Sequence, residues 1–517
     1  MKLSADVFGG KVVSNDDGGT VEIASDVTLA HMATSASDFS GYDYASRTII
    51  DNGSTLTFSG DANYGQIDNQ TFAINGKLVF DGSGADRELR SYYSGTGDIV
   101  LTNNASYRGG YYNNAGISLS GKYYGKDFTG GFYLYEGTVL KLFFRNLSFQ
   151  KNYFGGVYHL AGGTIQFPYN NTASAYLYDL VVEDGTTSTI DCSSTSHTTY
   201  IDQSGSMTGS GTLNVNLDTK GIRMKANASG FSGTVNFWGI KVQNDASGIL
   251  HSQAGSAKGV YNVMVKPENY GTAYSGYLDV FPTKWVHFEM ESANKTLNLG
   301  ALNVANSNMV VYCKNPFTLA LGGETNANST IEGKFGLQNA GAYAITKAGT
   351  GTLTLGKSFV MEDWDVITNS TLTAREYTKT IAVNAGTLIN NADLTGISVA
   401  VADGAKIGGV GTFSSDGLTF AGNYTITTGV DDKAVTLPGV VDFTDNASLE
   451  VDLTGIDASD PTKTYKVLTA SSIHGKPSKS SLAALNEGQA KGKWKFQIEN
   501  GSLVIKFAKN SFVLILR

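Results

Sequence analysis

The chain has 517 residues, a formal net charge of -8 and a sequence pI near 5.3. Charged residues make up only 16% of the sequence, and no cluster of Lys and Arg occurs, which excludes the surface that nucleic acid binding requires. A hydrophobic fraction of 41% and an aromatic fraction of 11% are too high for a disordered chain, so we expect a folded protein.

The start of the sequence does not have the pattern of an export signal. Met1-Lys2 leads into LSADVFGG without the apolar segment that a signal peptide contains. No apolar run reaches the length of about 18 residues that a transmembrane helix needs. The abundance of Gly, Asn, Ser and Thr is nevertheless typical of extracellular proteins. We therefore expect an exported protein whose export signal lies outside this sequence.

The N-terminal part contains short runs that alternate apolar and polar residues. GTVEIA at 19–24, STLTF at 54–58 and GKLVF at 76–80 are predicted to be β-strands, because alternation with period two gives a strand one buried side. Asn52-Gly53 and Asn75-Gly76 are predicted turns, since Gly takes positive φ at low cost. A hairpin and the corner of a coil have the same signature at this level.

A two-part phrase then recurs with different spacing. A Gly-x-Gly corner with a strand is followed by a Phe-(Ser/Thr)-Gly corner with a strand. The two copies are Gly95–Thr102 with Phe128–Tyr135, and Gly209–Leu217 with Phe231–Phe237. Because a solenoid accepts inserts of variable length between its stacked strands, this pattern favours a β-solenoid over a sandwich.

The region between Tyr92 and Tyr178 holds about half of the 27 tyrosines. Tyrosines on successive rungs would form an aromatic ladder. Since Tyr is favoured at recognition surfaces, one interpretation is a surface that contacts sugars or proteins. The other is stacking that only stabilises the fold, which is the more common role. The candidate binding residues are Tyr92, Tyr93, Tyr111, Tyr112, Tyr123 and Tyr124.

The remaining elements are less regular until the last third. ALNV at 301–304, VVYC at 310–313 and FTLAL at 317–321 are predicted strands, and SSLAAL at 480–485 is the one predicted helical turn. We divide the chain into residues 1–340, with N-terminal and central rungs and the Tyr-rich inserts, and residues 341–517, with C-terminal rungs.

Residues 345–507 resemble a known family. ITKAGTGTLTLG at 345–356, followed by TIAVNAGTLIN at 380–390, is similar to the strand repeat in the passenger regions of bacterial autotransporters. VAVADGAKIGGVGTF at 399–413 is similar to the next phrase of that family. TYKVLTASSI at 464–473 and WKFQIENGSLVIKF at 494–507 resemble its closing strands. The Gly-x-Gly and Phe-(Ser/Thr)-Gly phrases extend the resemblance more weakly toward residue 95.

The resemblance implies an all-β fold, namely a single right-handed parallel β-helix (β-solenoid) of the pectate-lyase-like kind. It also implies export and display at the bacterial cell surface, associated with the outer membrane. The family carries a C-terminal translocator of about 250 residues in amphipathic strands, which this sequence does not contain. Another export route therefore fits equally well.

Alternation and glycine positions give specific expectations for the C-terminal repeat. We expect each Gly-x-Gly set at a corner with at least one glycine at positive φ, and the best candidates are Gly351 and Gly411, which each precede a strand Thr directly. The residues expected on the core side of the strands are Leu353, Leu355, Ile381, Val383, Leu388, Val399, Val401 and Ile407.

Parallel β-helices also carry polysaccharide lyases and glycosidases, so a catalytic site has to be considered. Glu362-Asp363-Trp364-Asp365 combines carboxylates with a ring that can stack on a sugar, and Asp363 and Asp365 share a side if this run is a strand. No Lys, Arg or His lies within the run, and acids in loops are usually solvated. Asp431-Asp432 is either a Ca²⁺-binding turn or a solvated turn, and the solvated turn is favoured.

Cysteine and histidine give no further site. Cys192 and Cys313 either pair or remain separate buried thiols, and separate thiols are favoured. The six histidines are scattered without metal-ligand spacing. We therefore expect no catalytic residue, no metal and no cofactor.

The sequence favours a non-enzymatic cell-surface or secreted β-solenoid, a structural or adhesin-like display module. Its partners would be extended ones such as glycans or cell-surface proteins, because a solenoid offers a long flat face instead of one deep pocket. The alternative is a carbohydrate-active enzyme, a polysaccharide lyase or glycosidase, on the same fold. A cleft that collects acids beside a Lys or Arg would favour the enzyme, and an even face banded with aromatic rings would favour binding.

Overall fold

In a computed structural model of the chain, the alternating runs of the sequence become short β-strands. The residues that the structure describes are 2–3, 20–23, 26–29, 46–59, 67–82, 87–111, 127–144, 152–153, 156–167, 175–192, 199–201, 204–217, 222–239, 252–264, 284–288, 293–307, 309–367, 375–489 and 492–509.

The chain divides into two compact units, Met1–Glu289 and Met290–Arg517. The division that we drew from the sequence, at 340/341, falls inside the second unit. Strand Ser329–Ile331 pairs there with strand Thr352–Leu355, so the strand ladder of the second unit runs across residue 340.

Among its described residues, the first unit contains four stacks of parallel strands, and the first and third of these also pair with each other through Arg87–Gly95 and Ser106–Tyr111. The first stack is Lys2–Leu3, Thr20–Ile23, Ser46–Ile50, Ile67–Ile74, Arg87–Gly95 and Asp127–Phe128. The second, called here the nine-stranded sheet, is Val27–Leu29, Thr55–Ser59, Lys77–Asp81, Asp98–Thr102, Gly131–Tyr135, Val157–Ala161, Asp179–Val182, Ser206–Gly209 and Asn227–Phe231. The third is Ser106–Tyr111, Val139–Phe144, Thr164–Gln166, Thr187–Asp191, Thr212–Leu217, Thr234–Gly239 and Val260–Met264, and the fourth is Asn152–Tyr153, Ala175–Leu177, Thr199–Ile201 and Ile222–Met224. Strand Lys284–Phe288 and the 3-10 turn Ser252–Ala254 also belong to this unit.

The second unit contains three larger stacks and some smaller sheets. The first larger stack is Ala301–Val304, Ser329–Ile331, Thr352–Leu355, Thr387–Asn390, Lys406–Gly408, Tyr424–Thr428 and Ala447–Val451. The second is Lys295–Leu299, Phe317–Leu321, Gly341–Lys347, Tyr377–Val383, Ser398–Val401 and Leu418–Phe420. The third is Met309–Cys313, Lys334–Leu337 and Met361–Asp363. The smaller sheets pair Asp393–Leu394 with Thr412–Phe413, Val440–Asp442 with Ser472–His474, and join Val435–Thr436, Thr464–Thr469, Ser502–Lys509 and Gly492–Glu499. The helical segments are Trp364–Ile367, Asp431–Lys433, Lys479–Leu482 and Ala483–Asn486, and the last two confirm the helical turn predicted at 480–485.

Most consecutive strands of the chain belong to different stacks, and the strands within the large stacks pair in parallel. Two exceptions are Lys2–Leu3 with Thr20–Ile23 and Thr234–Gly239 with Val260–Met264, which follow one another in the chain and pair within one stack. Gly131–Tyr135, for example, pairs residue for residue with Asp98–Thr102 on one side and with Val157–Ala161 on the other. The chain visits strands of other stacks between these partners. The predicted all-β class is confirmed, and its large sheets are parallel.

The predicted core side of the C-terminal repeat is also confirmed. All eight residues expected there are at most 1% exposed. They form columns across rungs, as in Leu353, Leu388 and Ile407, which are registered on successive strands. Burying one such side chain is worth about 1.5–3 kcal/mol, so the columns are the main source of stability in the repeat.

The repeat glycines lie at corners, and one glycine of each Gly-x-Gly set has positive φ, as predicted, but the choice of Gly351 and Gly411 is wrong. The positive values belong to the first glycine of each set, Gly349 (φ 66°) and Gly409 (φ 100°). The second glycine has a different role. A Cβ on Gly351 would lie 2.5 Å from the carbonyl oxygen of Ala327, and a Cβ on Gly411 would overlap a backbone carbonyl in the same way. One glycine thus turns the chain and the other allows rung-to-rung contact.

The Phe-(Ser/Thr)-Gly phrase occupies the same corner as Gly-x-Gly on the next rung. Phe128 is registered with Gly95, and Phe231 with Gly209. A Cβ on Gly130 would overlap the carbonyl oxygen of Gly97, which shows how closely the two corners stack. This stacking explains why the two phrases follow one another in the sequence.

An antiparallel hairpin interrupts the parallel order near residue 500. Strands Gly492–Glu499 and Ser502–Lys509 are joined by Asn500-Gly501, whose φ values of 50° and 75° suit a tight hairpin turn. Asn486 lies beside the outer strand of this hairpin. Its amide nitrogen donates to the carbonyl of Trp494 (3.0 Å), and its amide oxygen accepts the Trp494 N–H (2.6 Å).

Candidate binding surface

The prediction that Tyr93 lies on a binding surface is wrong. Its side chain is 0% exposed. Strand alternation turns it inward, where its ring stacks on Phe72 of the neighbouring strand with 5.9 Å between ring centroids. Tyr93 is therefore part of the core of the first unit.

The other five predicted tyrosines are not tested by the structure. Tyr92 and Tyr111 lie on strands Arg87–Gly95 and Ser106–Tyr111, but their side chains lie outside the described part of the chain. Tyr112, Tyr123 and Tyr124 lie outside the described residues altogether. Their role in binding stays a prediction.

The same Tyr-rich region does place aromatic side chains on the outward side of the nine-stranded sheet. Tyr133 is half-buried and Tyr135 is 45% exposed. Phe132, between them in sequence, points inward and stacks on Tyr158 at 5.3 Å. Alternation along one strand thus separates surface rings from core rings.

Tyr133 forms a stacked pair with His159 of the next rung. The ring centroids are 4.2 Å apart and the ring planes differ by 10°. The pair forms because the two residues are directly registered on parallel strands. The imidazole Nδ1 of His159 lies 2.8 Å from Oε1 of Glu183. Sequence reasoning missed His159 and Glu183, since the register between rungs depends on insert lengths that carry no pattern.

The ring of Tyr133 occupies the space beside Gly131, where a side chain would otherwise lie. A Cβ on Gly131 would lie 2.6 Å from Cε2 of that ring and 3.1 Å from Oδ1 of Asp98. The phenol therefore leans across Gly131 toward a carboxylate. Burial raises the pKa of Tyr133, and the negative charges of Asp98 and Glu183 raise it further.

These residues belong to a column that we call the outer strip. It consists of Val79, Val100, Tyr133, His159 and Val181, which are half-buried and registered on five successive strands. Carboxylates flank it on both sides. Asp98 and Asp179 stand at the starts of their strands, and Asp81 and Glu183 stand at or just beyond the ends of theirs. An apolar and aromatic band between two acidic margins results.

The acidic run Glu362–Asp365 in the second unit is not a continuous strand. The strand ends at Asp363 and the short helix Trp364–Ile367 begins, so the expected common side for Asp363 and Asp365 does not arise in that way. Arg375 joins the two acids instead. Its Nη1 lies 3.2 Å from Asp363 Oδ1, and its Nη2 lies 3.0 Å from Asp365 Oδ2.

The remaining bonding positions of Asp363, which is 8% exposed, are also occupied. Its Oδ1 accepts the Asp365 N–H (2.9 Å), and its Oδ2 accepts the Tyr377 hydroxyl (2.9 Å). Burial raises the pKa of Tyr377 to about 12. We call Asp363, Asp365, Arg375 and Tyr377 the Asp363–Arg375 cluster. The charged and polar groups of this cluster bond to one another.

Trp364 is half-buried and packs against two residues of the second unit. Its ring lies 4.5 Å from that of Tyr312 and rests on Gly336, where a Cβ would come within 2.5 Å of the indole. Trp364 is therefore a packing residue of the second unit.

Lys347 is a charged residue on the core side of a strand, and it is 1% exposed. It is registered between Leu321 and Val383, and its ammonium donates to the backbone carbonyls of Ala348 and Gly349. Burial lowers the pKa of Lys347. Carbonyl oxygens at the corner take the place of a counter-ion.

The remaining sequence candidates give no site among the described residues. Asp431 begins a 3-10 turn, and its Oδ1 accepts the N–H of Lys466 (2.9 Å), while Asp432 is exposed. Cys192 and Cys313 are not joined by a disulfide bond, and both are buried, one in each unit. No group of three or more His, Cys, Asp or Glu in the described part is arranged to hold a metal ion.

The described helices are all short. None of them is long and apolar enough to cross a membrane. The two places that concentrate chemically active side chains are thus the outer strip and the Asp363–Arg375 cluster. Compared with known proteins, the chain matches no family model, no curated protein and no solved structure.

Proposed function

We propose that this chain is a non-enzymatic β-solenoid module displayed at a cell surface or secreted, and that it binds extended partners along the outward sides of its strands. The observation that supports this most is the outer strip. Five registered strands present one continuous column of half-buried side chains there, with Tyr133 and His159 at its centre. A column of this kind suits many weak contacts along an extended partner.

The proposed fold is a right-handed parallel β-helix of the pectate-lyase-like kind. Most consecutive strands enter different stacks and pair in parallel with strands of the next rung, as coils would require. Parallel connections of this type are right-handed in about 98% of cases. An experimental structure of either unit decides the point, and left-handed coils or separate open sheets would contradict it.

The proposed location is outside the cell, as in the autotransporter passenger regions that residues 345–507 resemble. The support is the Gly-, Asn-, Ser- and Thr-rich composition and the repeat phrases. Treating intact host cells with protease, with antibody detection of the chain before and after, tests this. Loss of the signal from intact cells is expected, and a signal that disappears only after lysis would contradict surface display.

The alternative, a carbohydrate-active enzyme, receives no support from the acidic cluster. A glycosidase needs two carboxylates about 5–9.5 Å apart, with one held as an acid and the other available as base or nucleophile. Asp363 and Asp365 instead share one guanidinium, and Asp363 also accepts from Tyr377. A polysaccharide degradation screen should show no cleavage. Cleavage that Asp363→Asn abolishes would establish the enzyme.

Binding is tested with the whole chain on intact cells and on a glycan array. We expect Tyr133→Ala to weaken adhesion, because it removes the centre of the outer strip. Thr354→Ala is the matched control, since Thr354 is also a half-buried outward side chain but lies in the second unit. Circular dichroism shows whether each variant is folded. Adhesion that is absent for the folded wild type, or equally weakened by both variants, would contradict the proposal.

A further inference from the structure

The outer strip has the chemistry of a surface for positively charged side chains. Four carboxylates, from Asp81, Asp98, Asp179 and Glu183, stand along its two margins. On the five strands that carry the strip, Lys77 and His159 are the basic residues. His159 is already next to Glu183, at 2.8 Å. The margins therefore carry a net negative charge.

The strip between the margins fits an aliphatic stem better than a sugar ring. Tyr133 and His159 turn ring faces toward one another at 4.2 Å, so those faces are occupied and the ring edges point outward. Face-on stacking, which is how an aromatic side chain usually holds a sugar, has no free surface between the two rings. Valines continue the column on both sides of this pair.

Arg and Lys combine the two properties that the surface requires. Their methylene stems cover apolar surface while the charged head reaches a polar margin. A guanidinium also pairs with carboxylates through its planar set of N–H donors. The carboxylates of Asp98 and Glu183 act on the phenol of Tyr133, where burial is the first cause of its raised pKa and their negative charge the second. The negative charges of the margins thus act on the ring of Tyr133, at the centre of the strip.

We infer that the outer strip binds a cationic protein segment, an extended stretch of a partner protein rich in Arg or Lys, with stems on Val100, Tyr133 and Val181 and charged heads at Asp98 and Glu183. This inference rests on the proposed function, since it names the partner class of that same surface. Sulfated or uronic acid-containing glycans, in contrast, would be repelled by the margins.

The test uses the full chain and a fluorescent peptide of alternating Arg and Thr, measured by fluorescence anisotropy. A peptide with Glu in place of every Arg is the charge-reversed probe. We expect the Arg peptide to bind and the Glu peptide not to bind. Raising the ionic strength from about 0.1 M to about 1 M shortens the screening length from about 10 to about 3 Å and should weaken the Arg peptide severalfold.

Matched variants separate the strip from the general acidity of the protein. The double variant Asp98→Asn with Glu183→Gln should weaken the Arg peptide roughly tenfold, and Tyr133→Ala should weaken it about threefold without any change of charge. The double variant Asp416→Asn with Asp432→Asn removes two exposed carboxylates from the second unit and should change the affinity less than about twofold. Circular dichroism confirms that each variant is folded.

Two results would overturn the inference. One is equal weakening by the two double variants, Asp98→Asn with Glu183→Gln and Asp416→Asn with Asp432→Asn, which would mean that net charge alone attracts the peptide. The other is an unchanged affinity in folded Tyr133→Ala. Adhesion to cells or glycans without any binding of the Arg peptide would reject the cationic partner and leave the proposed function standing. Failure of both assays would reject both.

Discussion

The outer strip of the first unit and two charged residues of the second unit show charged side chains on opposite sides of their strands. In the first unit, Asp98 and Glu183 lie along the outward column of Tyr133 and His159. In the second unit, Lys347 and Asp363 take core-side positions and are at most 8% exposed. An inward charge requires partners within the protein, whereas an outward charge can pair with another molecule.

The second unit supplies those partners from nearby in the sequence. Lys347 donates to the carbonyls of the two residues that follow it. Asp363 is bonded by the Asp365 N–H, Arg375 and Tyr377, all within 14 residues. Bonds from residues nearby in the sequence thus stabilise each buried charge. A charge bonded in this way is not available to another molecule. The acidic margins of the first unit face outward, so a binding partner can reach their carboxylates.

The largest expected effect comes from forcing a charge into a core column without partners. Leu353→Asp should lower the free energy of unfolding by about 3–5 kcal/mol, because the new carboxylate would be buried and unpaired. Thr354→Asp, on the outward side of the same strand, should change it by less than about 0.5 kcal/mol. Denaturant unfolding measures both. Equal effects would mean that the strand does not separate inside from outside.

A smaller loss of unfolding free energy is expected when a buried charged side chain is kept but its partner of opposite charge is removed. Arg375→Met leaves Asp363 without its cation and should cost about 2 kcal/mol, since Arg375 is itself partly exposed. Lys406→Met breaks the exposed pair with Glu450 and should cost less than about 0.5 kcal/mol. Thermal or denaturant unfolding of the two variants decides this, and a smaller loss for Arg375→Met would show that the cluster is not structural.

The buried ammonium of Lys347 predicts a pH dependence. Its pKa is lowered in the fold from the ordinary 10.5, so the unfolded chain binds the proton more tightly than the folded chain does. Stability therefore rises with pH between the folded pKa and about 10.5. The difference in unfolding free energy between the wild type and Lys347→Met should increase over that range, while the contributions of tyrosines cancel. A constant or falling difference would contradict the assignment.

The smallest effect concerns the outward rings. Tyr133→Ala and His159→Ala should each cost about 1 kcal/mol, and a double-mutant cycle should give a coupling of about 0.5–1 kcal/mol for the stacked pair. Tyr135→Ala removes an exposed ring and should cost less than about 0.5 kcal/mol. A coupling near zero would mean that the ring pair contributes nothing to the fold.

Much of the strand pattern could be predicted because it depends on neighbours in sequence. Asp98–Thr102, Gly131–Tyr135 and Thr212–Leu217 have the bounds that the repeat phrases gave. The corners were found as well, but a sequence does not show which glycine of a pair faces the carbonyl of the previous rung. The roles of Gly349 and Gly351 were therefore exchanged.

The candidate site could not be predicted to the same extent, because it depends on contacts between rungs. Tyr133 meets His159 only through the register that follows an insert of irregular sequence. Tyr93 was assigned to the surface although its position on the strand turns it inward. Arg375 is separated in sequence from Asp363, the acid that it pairs with, by a strand end and a short helix. None of these pairs has a fixed spacing that a pattern could reveal.

Asn486 has a consequence for self-association. The outer strand Gly492–Glu499 would otherwise offer the N–H and carbonyl of Trp494 to any passing β-strand, as unpaired sheet edges do. The Asn486 amide satisfies both groups, as the backbone of a further strand would. Lys493 and Lys495 add exposed positive charges along the same strand. The Asn486 amide and the two lysines thus disfavour the addition of another strand at this part of the edge.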